Sequence, residues 1–193
     1  IKDKKQTGAK IEYELTYPNL EVKSSLSDYL LFYLNKDAQT KERTQSKVYE
    51  AIENLDFELL KDTFFRLFAA IPYEWYIKNE FDKYEGYYAS IFYAVFASLG
   101  YDLEVEESTN HGRIDLAIKT DKAVIIFEFK VIEGASEQNT ALEQIKNKKY
   151  YEKYLNSGNE IYLVGIEFSK AERNIARFDW ECLHLTQVRD SKS

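Results

Sequence analysis

The chain is 193 residues long, room for one large or two small domains, and its 45% hydrophobic and 31% charged residues exclude a disordered or fibrous protein. Lys and Arg number 26 against 33 Asp and Glu, a net charge of −7 that excludes generic polyanion binding unless positive charge is gathered locally. A single Cys rules out an internal disulfide and fits a reducing cytoplasm, and no apolar run approaches the ~20 residues of a membrane helix, so a soluble cytoplasmic protein without membrane contact is expected.

In chain order, Ile11-Glu12-Tyr13-Glu14-Leu15 is the only extended-looking N-terminal stretch, closed by the turn signal Tyr17-Pro18-Asn19. From Ser24 to about Ile71 the spacing is helical, with Leu26, Tyr29, Leu30, Tyr33 and Leu34 on one stripe, Leu59, Leu60, Phe64, Leu67 and Phe68 on another, and a polar break over 35–45. Pro72 ends that pattern. An amphipathic helix is predicted over about 82–99 and stopped by Gly100. Strands follow at 101–107, 113–119 and 123–130; the last is nearly continuous in β-branched and aromatic residues and reads as covered on both faces. A polar, Lys-rich helix over 137–155, a buried strand over 161–168 and a last short strand near 175–185 complete the chain. No Met is present, so the initiator is missing too; the chain reads as part of a longer polypeptide, or as one whose methionines are uncounted.

The chemistry gathers in Gly112-Arg113-Ile114-Asp115 and Phe127-Glu128-Phe129-Lys130. Strand periodicity puts Glu128 and Lys130 on the face of Val124 and Ile126, where burial is expected. A hairpin with a two-residue loop at Thr120-Asp121 sets Asp115 opposite Ile126 and diagonal to Glu128, close enough for two carboxylates to share one cation. Buried carboxylates repel and stay protonated unless a cation sits between them. Mg²⁺ is the natural choice, since it takes oxygen ligands and keeps positions for water and phosphate. Lys130 then brings an ammonium that can orient or help deprotonate the attacking water and stabilise charge on phosphorus. Glu85, at the start of the helix before the sheet, falls inside the edge of the apolar stripe beside Tyr88 and Phe92 and makes a third candidate acid.

Asp115, twelve residues, then Glu128-Phe129-Lys130 resembles the PD-(D/E)XK nuclease superfamily. The wider text, YEGYYAS, GYDLEVEES, GRIDLAIKT, IIFEFK, ALEQIKNKKYYEKY, IYLVGIEF and ERNIARFDW, is similar to the C-terminal nuclease-like domain of bacterial AAA-ATPase-like proteins. The resemblance covers about 72–181, with a weaker likeness in YELTYPNLEV. It implies an α/β fold with a restriction-endonuclease-like core, α-β-β-β-α-β, in a mixed sheet flanked by helices. An all-α segment over 1–71, the end of or linker from an upstream ATPase-like domain, would precede a nuclease-like domain over 72–193. It also implies roles: Asp115, Glu128 and the backbone carbonyl of Phe129 as ligands of Mg²⁺ or Mn²⁺, Lys130 as the catalytic lysine, Glu85 as the acid of the preceding helix and Gln144 as the polar residue of the following one. The Pro of the family's name is absent, Ile114 standing before Asp115. No G-x-x-x-x-G-K-[ST] occurs, so an ATPase would lie upstream.

Lys146, Lys148, Lys149 and Lys153 form a basic cluster in the Lys-rich helix, which is either a solvated face or, beside a nuclease site, a track for phosphates. Tyr150, Tyr151 and Tyr154 read as packing residues, and His111 as a turn residue. Cys182 and His184 make no metal pair worth naming. Two functions compete: metal-dependent phosphodiester hydrolysis of DNA, favoured by the intact triad, and a catalytically inactive nuclease-fold module binding nucleic acid or a partner protein, favoured by the acidity.

Overall fold

The structure, a computed structural model, describes residues 3–7, 10–14, 25, 29, 38–71, 85–109, 112–134 and 140–183. Strands β1 (Asp3–Thr7) and β2 (Lys10–Glu14) pair antiparallel, from Asp3↔Glu14 to Thr7↔Lys10. The N-terminal segment is therefore not all-α as expected. The alternation Ile11-Glu12-Tyr13-Glu14 announced one strand, but its partner is polar and carries no pattern.

Helix α1 (Ala38–Asn54) begins inside the stretch read as a break. Its first turns are polar because they face solvent, while Val48, Ala51 and Ile52 at its far end are buried. Leu55, with φ 54°, separates it from α2 (Phe57–Ala70), whose first turn is capped by Asp56 accepting from the Leu59 N–H. The apolar stripe proposed over Leu26 to Leu34 lies outside the described residues, apart from Tyr29, which is exposed. Helix α3 (Glu85–Ser98) ends at Gly100, with φ 83°, the left-handed position that glycine fills without strain.

Beyond it, β3 (Asp102–Thr109), β4 (Gly112–Lys119), β5 (Ala123–Ile132), β6 (Glu160–Ser169) and β7 (Asn174–Leu183) form one sheet in that order. Every neighbouring pair is antiparallel except β5 and β6. A parallel pair needs a crossover connection, and α4 (Ala141–Lys148) with a 3₁₀ turn (Tyr150–Tyr154) supplies it. The Lys-rich segment is thus not one helix. Lys149 takes the left-handed conformation, φ 50° and ψ 35°, which stops α4 and lets Tyr150 and Tyr154 turn into the core.

Alternation in β5 divides the core. Ala123, Ile125, Phe127 and Phe129 face α1, α2 and α3, in a cluster that includes Phe64, Phe92 and Phe168. Val124 and Ile126 face the other way and pack with Ala117, Ile145, Tyr150, Tyr154, Ile161 and Leu163. Residues 123–129 are all buried, so β5 is covered on both faces as its composition predicts. Among the described residues no helix is long and apolar enough to cross a membrane.

Candidate active site

The sheet opens at its centre. Pairing of β4 with β5 runs from Lys119↔Val124 to Leu116↔Phe127, two residues away from the register expected. The cause is the turn. The Thr120 hydroxyl accepts from the N–H groups of Lys122 and Ala123, and the Thr120 N–H donates to the Ala123 carbonyl, so four residues rather than two separate the last paired residues, Lys119 and Val124. A shift of two keeps each side chain on its face and carries Asp115 from diagonal to level with Glu128.

Beyond Phe127, two N–H groups of β5 on the side of β4 are taken by carboxylates instead of a strand. The Phe129 N–H donates to Asp115 Oδ2 at 2.9 Å and the Val131 N–H to Glu85 Oε1 at 3.4 Å. In a strand the N–H and C=O of one residue point to the same edge, so the Phe129 carbonyl faces the gap in which Asp115 stands. Glu85 is exposed rather than turned inward as its helical angle suggested. Its carboxylate nevertheless reaches the end of β5. Glu85 and Asp115 also line one cavity of about 590 Å³, walled by Ala89, Tyr93, Val105 and Leu116.

Glu128 is only 2% exposed. Gln144 of α4 donates its side-chain amide to Oε1, Lys148 places its ammonium 3.8 Å from the same oxygen, and Oε2 is buried with no partner. Burial, then the charge of Asp115, push the Glu128 pKa up to about 8, against the opposing pull of Lys148 and Gln144. Lys130, half-buried, lies two residues further along the same face of β5.

Helix α4 reaches Glu128 because β6 lets it. Gly165 is the register partner of Glu128, and a Cβ there would stand 2.2 Å from the Leu142 nitrogen and 2.7 Å from its Cα. Only a residue without a side chain allows the helix so near. Two residues on, Glu167 is 1% exposed and its Oε1 accepts from the Ala141 N–H, while Thr140 and Glu143 form a reciprocal capping box at the same helix end. A bulge between β6 and β7 at Glu167/Phe168 brings Arg177 alongside Glu167, 3.6 Å from Oε2. Glu167 and Gly165 escaped the sequence reading. Their signal was there: Ile161, Leu163, Gly165 and Glu167 share one face of β6, and the last two break its apolar run.

Asp115, Glu128, Lys130 and Gln144, and at the end of β5 Glu85, are thus gathered around one opening. Of the proposed basic cluster, Lys146 pairs with Glu181 at 2.5 Å, Lys153 pairs with Glu104 at 3.0 Å, Lys149 is exposed at the helix end, and Lys148 turns to Glu128. Tyr150 and Tyr154 are buried, as packing residues should be. Cys182 is a free thiol, and His111 and His184 lie outside the described residues.

Among the described residues no three or more His, Cys, Asp or Glu side chains form a ready metal cage. A hard cation that keeps several waters needs no such cage: one or two carboxylates and a carbonyl serve it. The unpartnered Glu128 Oε2, buried beside a second carboxylate, fits such an ion.

Residues 83–178, from just before α3 into β7, match the family model of the PD-(D/E)XK nuclease superfamily. The chain is 44% identical over 177 residues to a protein of Azotobacter chroococcum mcd 1 called the uncharacterized protein in the vnfD 5′ region; the aligned stretch is 91% of this chain and 34% of that relative. The chain therefore spans about a third of the relative's length. No solved structure matches it significantly.

Proposed function

We propose that the opening between β4 and β5 hydrolyses phosphodiester bonds of DNA with Mg²⁺ or Mn²⁺. One observation carries the reading: Glu128, buried with an unpartnered oxygen, stands level with a second carboxylate and shares its strand face with Lys130. Burying one acid beside another is costly unless a cation compensates them. The match of 83–178 to a nuclease superfamily points to the same chemistry.

Asp115, Glu128 and the Phe129 carbonyl would hold the ion. When bound, it would polarise the phosphate and lower the pKa of an attacking water. Lys130 would orient that water and meet the charge that grows on the phosphate oxygens. Gln144 fixes the rotamer of Glu128, and Glu85 holds the exposed end of β5 in place. The upstream ATPase-like half belongs to this proposal too, supported by the resemblance and by the greater length of the relative.

The test is cleavage of linear, circular and branched DNA, with and without Mg²⁺ or Mn²⁺. Asp115→Ala and Lys130→Ala should each lower the rate by roughly 10²-fold or more, with unchanged circular dichroism. Cleavage indifferent to both substitutions would sink the mechanism. The second reading, an inactive binding module, draws on the ion pairs that occupy Lys146 and Lys153 and leave less free positive charge near the site. DNA retention without cleavage by the full-length polypeptide would favour it.

A further inference from the structure

Helix α4 sends two side chains toward Glu128, not one. Gln144 and Lys148 are four residues apart and so lie on one helix face. Among the described ion pairs of the basic segment, Lys148 alone reaches an acid of the opening, while Lys146 and Lys153 meet Glu181 and Glu104 elsewhere. Its stem runs in from solvent, the side chain 41% exposed against 3% for Glu128. At 3.8 Å the ammonium is held by charge and not by a donated hydrogen bond. A second resting place is at hand, since the same ammonium stands 5.4 Å from the centre of the buried Tyr150 ring. Helix α4 stops one residue later at the left-handed Lys149, so nothing on the helix lies beyond Lys148 to shield it from the opening.

A lysine so placed is a rival of any divalent cation for Glu128. We infer that Lys148 is a second ammonium of the site, balancing Glu128 whenever that carboxyl loses its proton, giving it up when the metal binds and then turning to a non-bridging oxygen of the phosphodiester. This rests on the nuclease reading above. Glu128 thereby has one cation beside it in either state, and the ammonium that the metal displaces serves the substrate.

The experiment uses the intact chain as wild type, Lys148→Gln and Lys148→Arg. Mn²⁺ binding without DNA is followed by the electron paramagnetic resonance of the free ion, and cleavage by single turnovers at saturating Mn²⁺. Lys148→Gln should bind Mn²⁺ roughly three- to tenfold more tightly, the weight of a half-exposed ion pair. Its cleavage should fall roughly 10- to 100-fold, and Lys148→Arg should recover most of that loss. A merely structural lysine would weaken both readouts together. If Lys148→Gln matches wild type in either measurement while wild type binds Mn²⁺ and cuts, the assignment of Lys148 is overturned and the nuclease reading stands. If wild type neither binds Mn²⁺ nor cuts, both fall.

Discussion

Glu128 titrates near 4.5 when free and at about 8 in the fold, first because it is buried and then because Asp115 faces it. Between those two values the folded chain binds more protons than the unfolded one, so without metal its stability falls as pH rises through that window. The penalty is complete once the buried carboxyl has ionised, and it amounts to several kcal/mol at about 1.4 kcal/mol per unit. Urea midpoints from pH 4.5 to pH 8.5 in a chelator should therefore decline for wild type and decline much less for Glu128→Gln. Parallel slopes for the two proteins would mean that Glu128 is already ionised at pH 5. Glu104 supplies the opposite sign. Burial alone would raise its pKa, but hydrogen bonds from Lys119, Tyr154 and Lys153 outweigh that and hold it at about 2, so its contribution is present above 4.5 and lost as pH falls toward 2. The two groups act in different windows and can be separated in one titration.

At the scale of elements, the placing of α4 against β6 decides whether Gln144 and Lys148 meet Glu128 at all. Gly165→Ala drives a methyl into the backbone of Leu142, which cannot give way as a side-chain tip could. The helix must shift, at a cost of about 1–3 kcal/mol, and cleavage should fall with it even though no reacting group is altered. Thr140→Ala is the milder companion: it removes one cap bond, costs ~1 kcal/mol, and should leave the rate near wild type. If Gly165→Ala cut as well as wild type, α4 would not position the site. These elements also show what the sequence made legible. The D-x₁₂-E-x-K spacing and the apolar run of β5 were enough to find the strands and both carboxylates, because period-two burial is written in single residues. The register was not legible: it hangs on one Thr120 hydroxyl closing the turn between Lys119 and Val124. Nor was the break at Lys149, a left-handed residue that is not glycine, or the buried roles of Gly165 and Glu167, which depend on how closely a helix approaches another strand.

For the whole molecule, the question is whether the helices before residue 72 belong to the folding unit that carries the site. Phe64 of α2 stacks on Phe92 of α3 with ring centres 3.6 Å apart, and Phe92 in turn meets Phe127 and Phe129 of β5 at 6.3 and 5.0 Å. Asn174 of β7 donates its side-chain amide to the Phe65 carbonyl, tying α2 to the sheet edge as well. Helices α1 and α2 thus cover the sheet face opposite α4, and a chain beginning at residue 72 would bare Phe92, Phe96 and Phe168 to water. Contacts of this kind make one cooperative unit rather than two. Phe64→Ala should cost about 3–5 kcal/mol and lower one shared transition, with circular dichroism and tryptophan fluorescence falling together. A fragment of residues 72–193 should aggregate or lose its fixed aromatic packing, visible as a collapsed near-ultraviolet spectrum. Should that fragment unfold at the wild-type urea midpoint, or should Phe64→Ala split the transition in two, α1 and α2 would be a separate module resting against the nuclease-like sheet.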